Sequence, residues 1–176
     1  LKKYNENQLS YFKDNFSLDE ITSKLLSIRN IKNEEVIGFL NPLIKNFLPN
    51  PENLIDMKKS SLRTVEAIKN HEKIGVFGDY DVDGASATAL LGNFFSSINI
   101  PFEIYIPDRR KEGYGPTINA FQKLISSGVG LVYTVDCGTL SFEPIKYAKS
   151  KNIDVIVLDH HQSEINLPNA HSIINP

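Results

Sequence analysis

The sequence predicts an α/β fold. Parallel βαβ units form a sheet with helices on both faces, preceded by a helical segment over residues 1–72. Two observations carry this. From Lys73 onward, short β-rich apolar runs alternate with helical stretches at intervals of about 25–30 residues, the rhythm of crossover connections. Before Lys73, apolar residues recur at helical spacing without strand alternation. The composition suits such a fold: 176 residues, 41% hydrophobic and 23% charged, an ordinary globular balance.

In the leading segment, "SLDEITSKLLSIRNI" places Leu18, Ile21, Leu25, Leu26 and Ile28 near one helical face. Ser17 and Glu20 form a candidate capping box. "NEEVIGFLNPLIKNFL" reads as a short helix interrupted at Pro42. "NPENLIDMKKSSLRTVEAIKN" has Leu54, Met57, Leu62, Val65 and Ile68 at helical spacing, with Asn50 as a cap and Pro51 in the first turn. Then "KIGVF", "FEIYI", "GLVYTV" and "DVIVL" read as successive strands, and "HSIIN" begins a fifth. "GASATALLGNFFSS", "TINAFQKLISSG" and "FEPIKYAKSK" read as the helices between the first four.

Composition narrows the function classes. No apolar run approaches the ~18 residues of a membrane span. The first 20 residues are polar and carry acids, unlike a secretory signal. A single cysteine excludes an internal disulfide framework and suits a reducing cytoplasm. The net charge of −2 gives no global footprint for nucleic acid. A polyanionic partner would need a local basic patch or bound cations.

Three strands end in acid. "KIGVF" leads into "GDYDVDG", with Asp79, Asp81 and Asp83 on alternate residues; "GLVYTV" ends at Asp136; "DVIVL" ends at Asp159, followed by His160 and His161. In a parallel sheet the carboxyl ends of the strands share one rim, so these distant acids are expected to converge there. Crowded carboxylates repel one another and call for a cation. Carboxylates with imidazole suit Mn²⁺ or Mg²⁺, imidazole favouring Mn²⁺; the excess of oxygen disfavours zinc. Two ions about 3.5–4 Å apart, bridged by a carboxylate, can activate water for attack on phosphorus.

Rival readings fail at specific positions. "DYDVDG" fits the first half of an EF-hand loop, but Leu90 stands at the twelfth position instead of a bidentate Glu. An Asp-nucleophile D-x-D-G-T pattern matches Asp81, Asp83 and Gly84 but meets Ala85 in place of Thr. No G-x-x-x-x-G-K occurs. Cys137 reads as a small residue packed at a strand end. His71 and His171 have no partner in sequence and read as structural.

The stretch "DRRKEGYG", Asp108–Gly115, is the second candidate site. Arg109, Arg110 and Lys111 are adjacent cations in a loop following the second strand. Arginine forks suit phosphate, and Gly113 and Gly115 allow close backbone approach. Both belong with Tyr114 to a candidate substrate surface on the acidic rim.

"FGDYDVDG", "VDCG" and "LDHH" resemble, in order, the first three motifs of the DHH phosphoesterases. "FLNP", "LIDMKKSSLRTVEAI", "IPDRRKEGYGPT", "VIVLDHHQ" and "LPNAHSIINP" resemble the RecJ-type single-strand exonucleases more narrowly, from about Leu25 to Pro176. The resemblance implies a DHH phosphoesterase domain over 73–176 and a two-metal phosphodiesterase with Mn²⁺ or Mg²⁺. It further implies degradation of single-stranded DNA from the 5′ end, in repair and recombination. Asp79, Asp81 and Asp83 match the first motif, Asp136 the metal-bridging acid of the second, and Asp159, His160 and His161 the third. Asp81, Asp83, Asp136 and His160 are then expected as direct ligands, with His161 also in the catalytic set and Asp79, Asp159 and His161 in the wider metal-binding set. Asp79 and His161 would be ligands, orienters or phosphate contacts. Arg109 matches a segment lying along the substrate. The family also has a further metal-binding acid and a DHH-associated domain beyond the third motif, so the sequence is expected to be part of a longer protein. Two other readings stay open: a phosphatase of short oligonucleotides or pyrophosphate, and a non-catalytic single-strand binder.

Overall fold

The computed structural model describes residues 3–176, which fall into two compact units dividing at 50/51. In the first unit, helix α1 (Glu6–Phe16) is capped by Asn5, whose side chain accepts from the N–H groups of Asn7 and Gln8. Helix α2 (Glu20–Ile28) is capped by Asp19. The expected cap, Ser17, instead closes α1 in a left-handed conformation. Asp19 wins because its carboxylate takes the Ile21 and Thr22 N–H groups at 2.9 Å each. Helices α3 (Val36–Leu40) and α4 (Ile44–Phe47) lie on either side of the break at Pro42. Phe12, Leu26 and Val36 form this unit's core, with Phe16, Leu18 and Ile31 against it.

The second unit opens with a short 3₁₀ turn at Pro51–Asn53, and helix α5 (Met57–Lys69) follows. Asn50 and Pro51 therefore do not begin α5, which starts after Asp56 in a left-handed conformation. The Asp56 carboxylate does not cap it; it accepts the Ile173 N–H at 3.0 Å. Then come β1 (Lys73–Gly78), α6 (Val82–Ser97), β2 (Phe102–Tyr105), a single turn α7 (Arg109–Glu112), α8 (Ile118–Ser126), β3 (Val129–Val135), α9 (Phe142–Ser150), β4 (Asp154–Leu158) and β5 (Ser172–Ile174). The change of sequence rhythm falls at 72/73, whereas packing divides the chain at 50/51. Helix α5 has the periodicity of the helices before it, but its partner is the sheet: Ala67 lies in a sheet core, and Ser60 Oγ bonds Ser172 Oγ at 2.6 Å.

All five strands are parallel, in the order β2-β1-β3-β4-β5. On one face Ile74, Val76, Leu131, Tyr133, Val135 and Ile156 pack with Ala67 of α5 and Phe95 of α6. On the other, Phe77, Val132, Val155 and Val157 pack with Phe121 and Leu124 of α8 and Ile145 of α9. Burial on both faces explains why the central strands read as unbroken apolar runs. Each such side chain contributes roughly 1.5–3 kcal/mol on full burial. The chain leaves β1 for β2 on one side, then returns past β1 to β3 on the other. Right-handed crossovers in opposite directions place α6 and α8 on opposite faces. That reversal opens a crevice at the carboxyl ends of β1 and β3. Among the described residues, no helix is long and apolar enough to cross a membrane.

Candidate metal centre

The sheet register sets the acids side by side. Gly78 pairs with Val135, Val135 with Leu158, and Leu158 with Ile174. Asp79, Asp136, Asp159 and Asn175 are thus the next residues past four neighbouring strand ends. Three of them are buried acids: Asp79 is 2% exposed, Asp136 7% and Asp159 7%.

Asp81 caps α6, and its Oδ1 accepts the N–H groups of Asp83 and Gly84 at 3.0 Å each. The first turn of α6 lies directly on the strand end. A Cβ on Gly84 would stand 2.5 Å from the Asp79 carbonyl oxygen, so only glycine permits this approach. Asp136 has φ +60°, a left-handed conformation uncommon outside glycine that concentrates at functional sites. Gly138 follows at φ +113°, where a Cβ would meet Thr134 Oγ1 at 2.3 Å, which accounts for the glycine of "VDCG".

The two histidines hang from Asp159. Its Oδ1 accepts the His160 N–H at 2.8 Å and the His161 N–H at 3.2 Å, and lies 2.7 Å from His161 Nδ1. Its Oδ2 accepts the Thr139 N–H at 3.0 Å. With Nδ1–H donated to Asp159, the His161 Nε2 lone pair is left available to a ligand. His160 Nε2 lies 3.0 Å from Asp136 Oδ1. Asn175 Nδ2 donates to Thr139 Oγ1 at 3.1 Å and to the His161 carbonyl at 2.9 Å, closing the arrangement from β5. Tyr114 Oη donates to the Asp136 carbonyl at 3.3 Å, its ring edge-on to His161 at 5.8 Å.

Burial, then the neighbouring Asp81 carboxylate, pushes the Asp136 carboxyl above its usual range. Burial also works against the charged form of Asp159, but the bonds from Thr139 and His161 outweigh it and hold that carboxyl at about 2. The Asp159 bond raises His161. Burial, then the surrounding carboxylates, raises the Tyr114 phenol.

Two sets of donor atoms converge. One atom each from Asp79, Asp81 and Asp136 lie within 4.8 Å of one another, as do atoms from Asp136, His160 and His161. Asp136 belongs to both sets, and a carboxylate so placed could bridge a pair of ions. Two expected metal residues stand apart from these sets. Asp83 lines a shallow cleft with Ala87, Asp136 and His160. Asp159 has both oxygens occupied by the donors that hold the histidines.

A divalent cation fits this set. Asp79 Oδ1 is buried without a hydrogen-bond partner, a costly state for a carboxylate oxygen. Among the described residues, the ion pairs of Asp136 and Asp159 are to histidine. Oxygen-rich donors with imidazole match Mn²⁺ or Mg²⁺.

Along the second candidate stretch, Arg109 Cζ lies 5.3 Å from the centroid of the Tyr80 ring. Tyr80 stands between Asp79 and Asp81. Gly113 and Gly115 have φ of +80° and +78°, and Arg110 is exposed. Tyr114 and Gly115 line a groove of about 760 Å³ that reaches Asp159 and His161. The sequence reading did not single out Tyr80, Thr139 or Asn175. For Asn175 a signal existed, because it follows the fifth strand just as the acids follow theirs.

Residues 73–176 match the DHH family, N-terminal domain. The chain is 38% identical over 126 residues to the single-stranded-DNA-specific exonuclease RecJ of Bacillus subtilis, covering 72% of this chain and 16% of that protein. It is 35% identical over 157 residues to the enzyme of the same name from Haemophilus influenzae, covering 89% of this chain and 27% of that protein. The chain therefore spans about a quarter or less of these relatives' length. Among solved structures, exonuclease RecJ bound to manganese superposes with a TM-score of 0.65 at 28% identity, over 70% of this chain and 31% of that one. RecJ from Thermus thermophilus in complex with Mn²⁺ superposes with a TM-score of 0.78 at 20% identity, over all of this chain and 24% of that one, and shares the fold. The matched span begins with β1 and takes in every acid at the rim, and the chain belongs to the DHH family.

Proposed function

We propose that this chain is the metal-holding portion of a single-stranded-DNA exonuclease. It would bind two Mn²⁺ or Mg²⁺ ions and hydrolyse phosphodiesters from the 5′ end, in cytoplasmic DNA repair and recombination. The observation that carries this is the sharing of Asp136 between a carboxylate triad and a histidine pair, all at one sheet rim. The RecJ names and the manganese-bound neighbour support the substrate and the metal.

In this reading Asp79, Asp81 and Asp136 hold one ion, and Asp136, His160 and His161 the other. Asp83, which lines the same cleft as Asp136 and His160, would hold a water or serve as a further ligand. Asp159 is a positioning residue, aiming both imidazoles. Bound ions supply charge neutralisation at the phosphoryl oxygens and acidify the attacking water. Tyr114 braces the Asp136 backbone and the His161 ring. Arg109 and Arg110 contact the strand's phosphates, while Gly113 and Gly115 let the backbone approach them.

Calorimetric titration of the chain with Mn²⁺ tests the metal reading; two bound ions are expected, and no binding would overturn it. A substrate-length series on the intact protein tests the rest. Preference for long single strands is expected. Equal or faster turnover of dinucleotides or pyrophosphate would instead identify a small-substrate phosphatase, and binding without hydrolysis a strand-binding relative.

A further inference from the structure

The cationic loop after β2 contains two acids, Asp108 and Glu112, and the geometry points to a latch role for Glu112. We infer that Glu112 and Tyr80 are positioning residues that present Arg109 to a strand phosphate beside the metal centre. This rests on the strand-binding reading above.

Glu112 is engaged at both oxygens. Oε2 accepts the Tyr105 phenol at 2.5 Å, and Oε1 accepts the Asp108 N–H at 3.0 Å. Tyr105 is itself fixed. Its ring stacks on buried Phe77 with centroids 5.6 Å apart, and Lys123 Nζ donates to its oxygen at 3.0 Å. The α7 turn is further closed by the Arg110 N–H on Asp108 Oδ1 at 2.9 Å and the Glu112 N–H on the Asp108 carbonyl at 2.8 Å. One end of the turn is thus tied through Glu112 to the sheet. At the other end, the Arg109 guanidinium lies over Tyr80, a cation–π contact. Tyr80 belongs to the acidic stretch itself. The two holds fix the guanidinium over the ring of Tyr80, the residue between Asp79 and Asp81, without neutralising it, because the neighbour is a ring and not an acid. The contact agrees: an acid that merely diluted the loop's positive charge would have no reason to face a partly buried tyrosine.

Glu112 carries the same sign of charge as the strand it would help to bind. On charge alone, removing Glu112 from a phosphate-binding loop should tighten binding. As a latch, its removal should weaken binding by freeing Arg109. The test is fluorescence anisotropy of a labelled phosphorothioate oligothymidylate with this chain in Mn²⁺, over a salt series. Arg109→Ala is expected to weaken binding by about five- to tenfold and to reduce the salt slope by about 0.7. Glu112→Ala and Tyr80→Leu should each weaken it by about two- to fivefold, and Tyr80→Phe, which keeps the ring, should bind as wild type. Glu112→Ala combined with Arg109→Ala should be no weaker than Arg109→Ala alone. Trypsin cleavage at Arg109–Lys111 in the native chain should accelerate in Glu112→Ala and Tyr105→Phe. Tighter or unchanged binding by Glu112→Ala, or additive losses in the double variant, would overturn the latch while leaving strand binding intact. Absence of strand binding by the wild-type chain, with trypsin still reading a loosened loop, would overturn the strand-binding reading and this inference with it.

Discussion

The two rims of the sheet handle charge in opposite ways. At the amino ends of the strands, Arg63 bonds Glu72 through Nη2 at 2.7 Å and Asp154 through Nε at 2.6 Å. Lys73 pairs with Glu103 at 2.5 Å, and His171 lies 3.6 Å from Asp154. Each of these acids has a basic neighbour, and the network ties α5 to the strands. At the carboxyl ends, Asp79, Asp81 and Asp136 crowd together, the ion pair of Asp136 among the described residues is to His160, and Asp79 Oδ1 has no hydrogen-bond partner. The first rim is built to hold the fold. The second is built to receive something, and its imbalance of charge is the signature of a site.

The comparison breaks most sharply at Asp136. Asp136→Asn should lower Mn²⁺ affinity by more than about a hundredfold, beyond the range seen for groups that only orient ligands. Without metal, its urea midpoint should not fall, because an amide relieves the crowding with Asp81. A lower midpoint would make Asp136 a structural residue like those of the opposite rim. The mirror experiment is Arg63→Ala, which leaves Glu72 without its partner and Asp154 with His171 alone, and should cost about 1–3 kcal/mol in urea, with Mn²⁺ affinity unchanged.

Next in size is the metal itself. Mn²⁺ at a hundred times its dissociation constant should stabilise the chain by about 2.7 kcal/mol, read as a rise in Tm that EDTA reverses and Asp136→Asn abolishes. The smallest effect belongs to Asp159. Its folded carboxyl lies at about 2, below the ordinary ~3.9. That depression contributes about 2 kcal/mol above pH 4, lost as pH falls from 4 toward 2. In EDTA, wild type should therefore lose more stability than Asp159→Asn across that interval. Equal losses would remove Asp159 from its place as the anchor of the histidines.

Much of this was legible in one dimension. Strand positions, acids at strand ends and their common rim follow from local periodicity and from the rule that parallel strands expose their carboxyl ends together. Asp79, Asp136 and Asp159 could be grouped before any coordinates, and the register sets each one residue past a neighbouring strand end. Helix starts were less legible. Ser17 and Asn50 have the chemistry of caps, but Asp19 competes successfully for α2, and Asp56 precedes α5 with its carboxylate drawn to β5.

The hydrophobic pattern and the acid spacing specify the architecture and the chemical class of the site, because both depend on neighbours in sequence. Which acid bridges, which merely orients and which aromatic ring carries an arginine depend on contacts between segments tens of residues apart. Asp159 looks like Asp136 along the chain, and what separates their roles is the surroundings: donors at both oxygens of Asp159, the Asp81 carboxylate and a histidine beside Asp136. Folding alone supplies that distinction, since a carboxylate's role is set by the hydrogen bonds and charges packed around it.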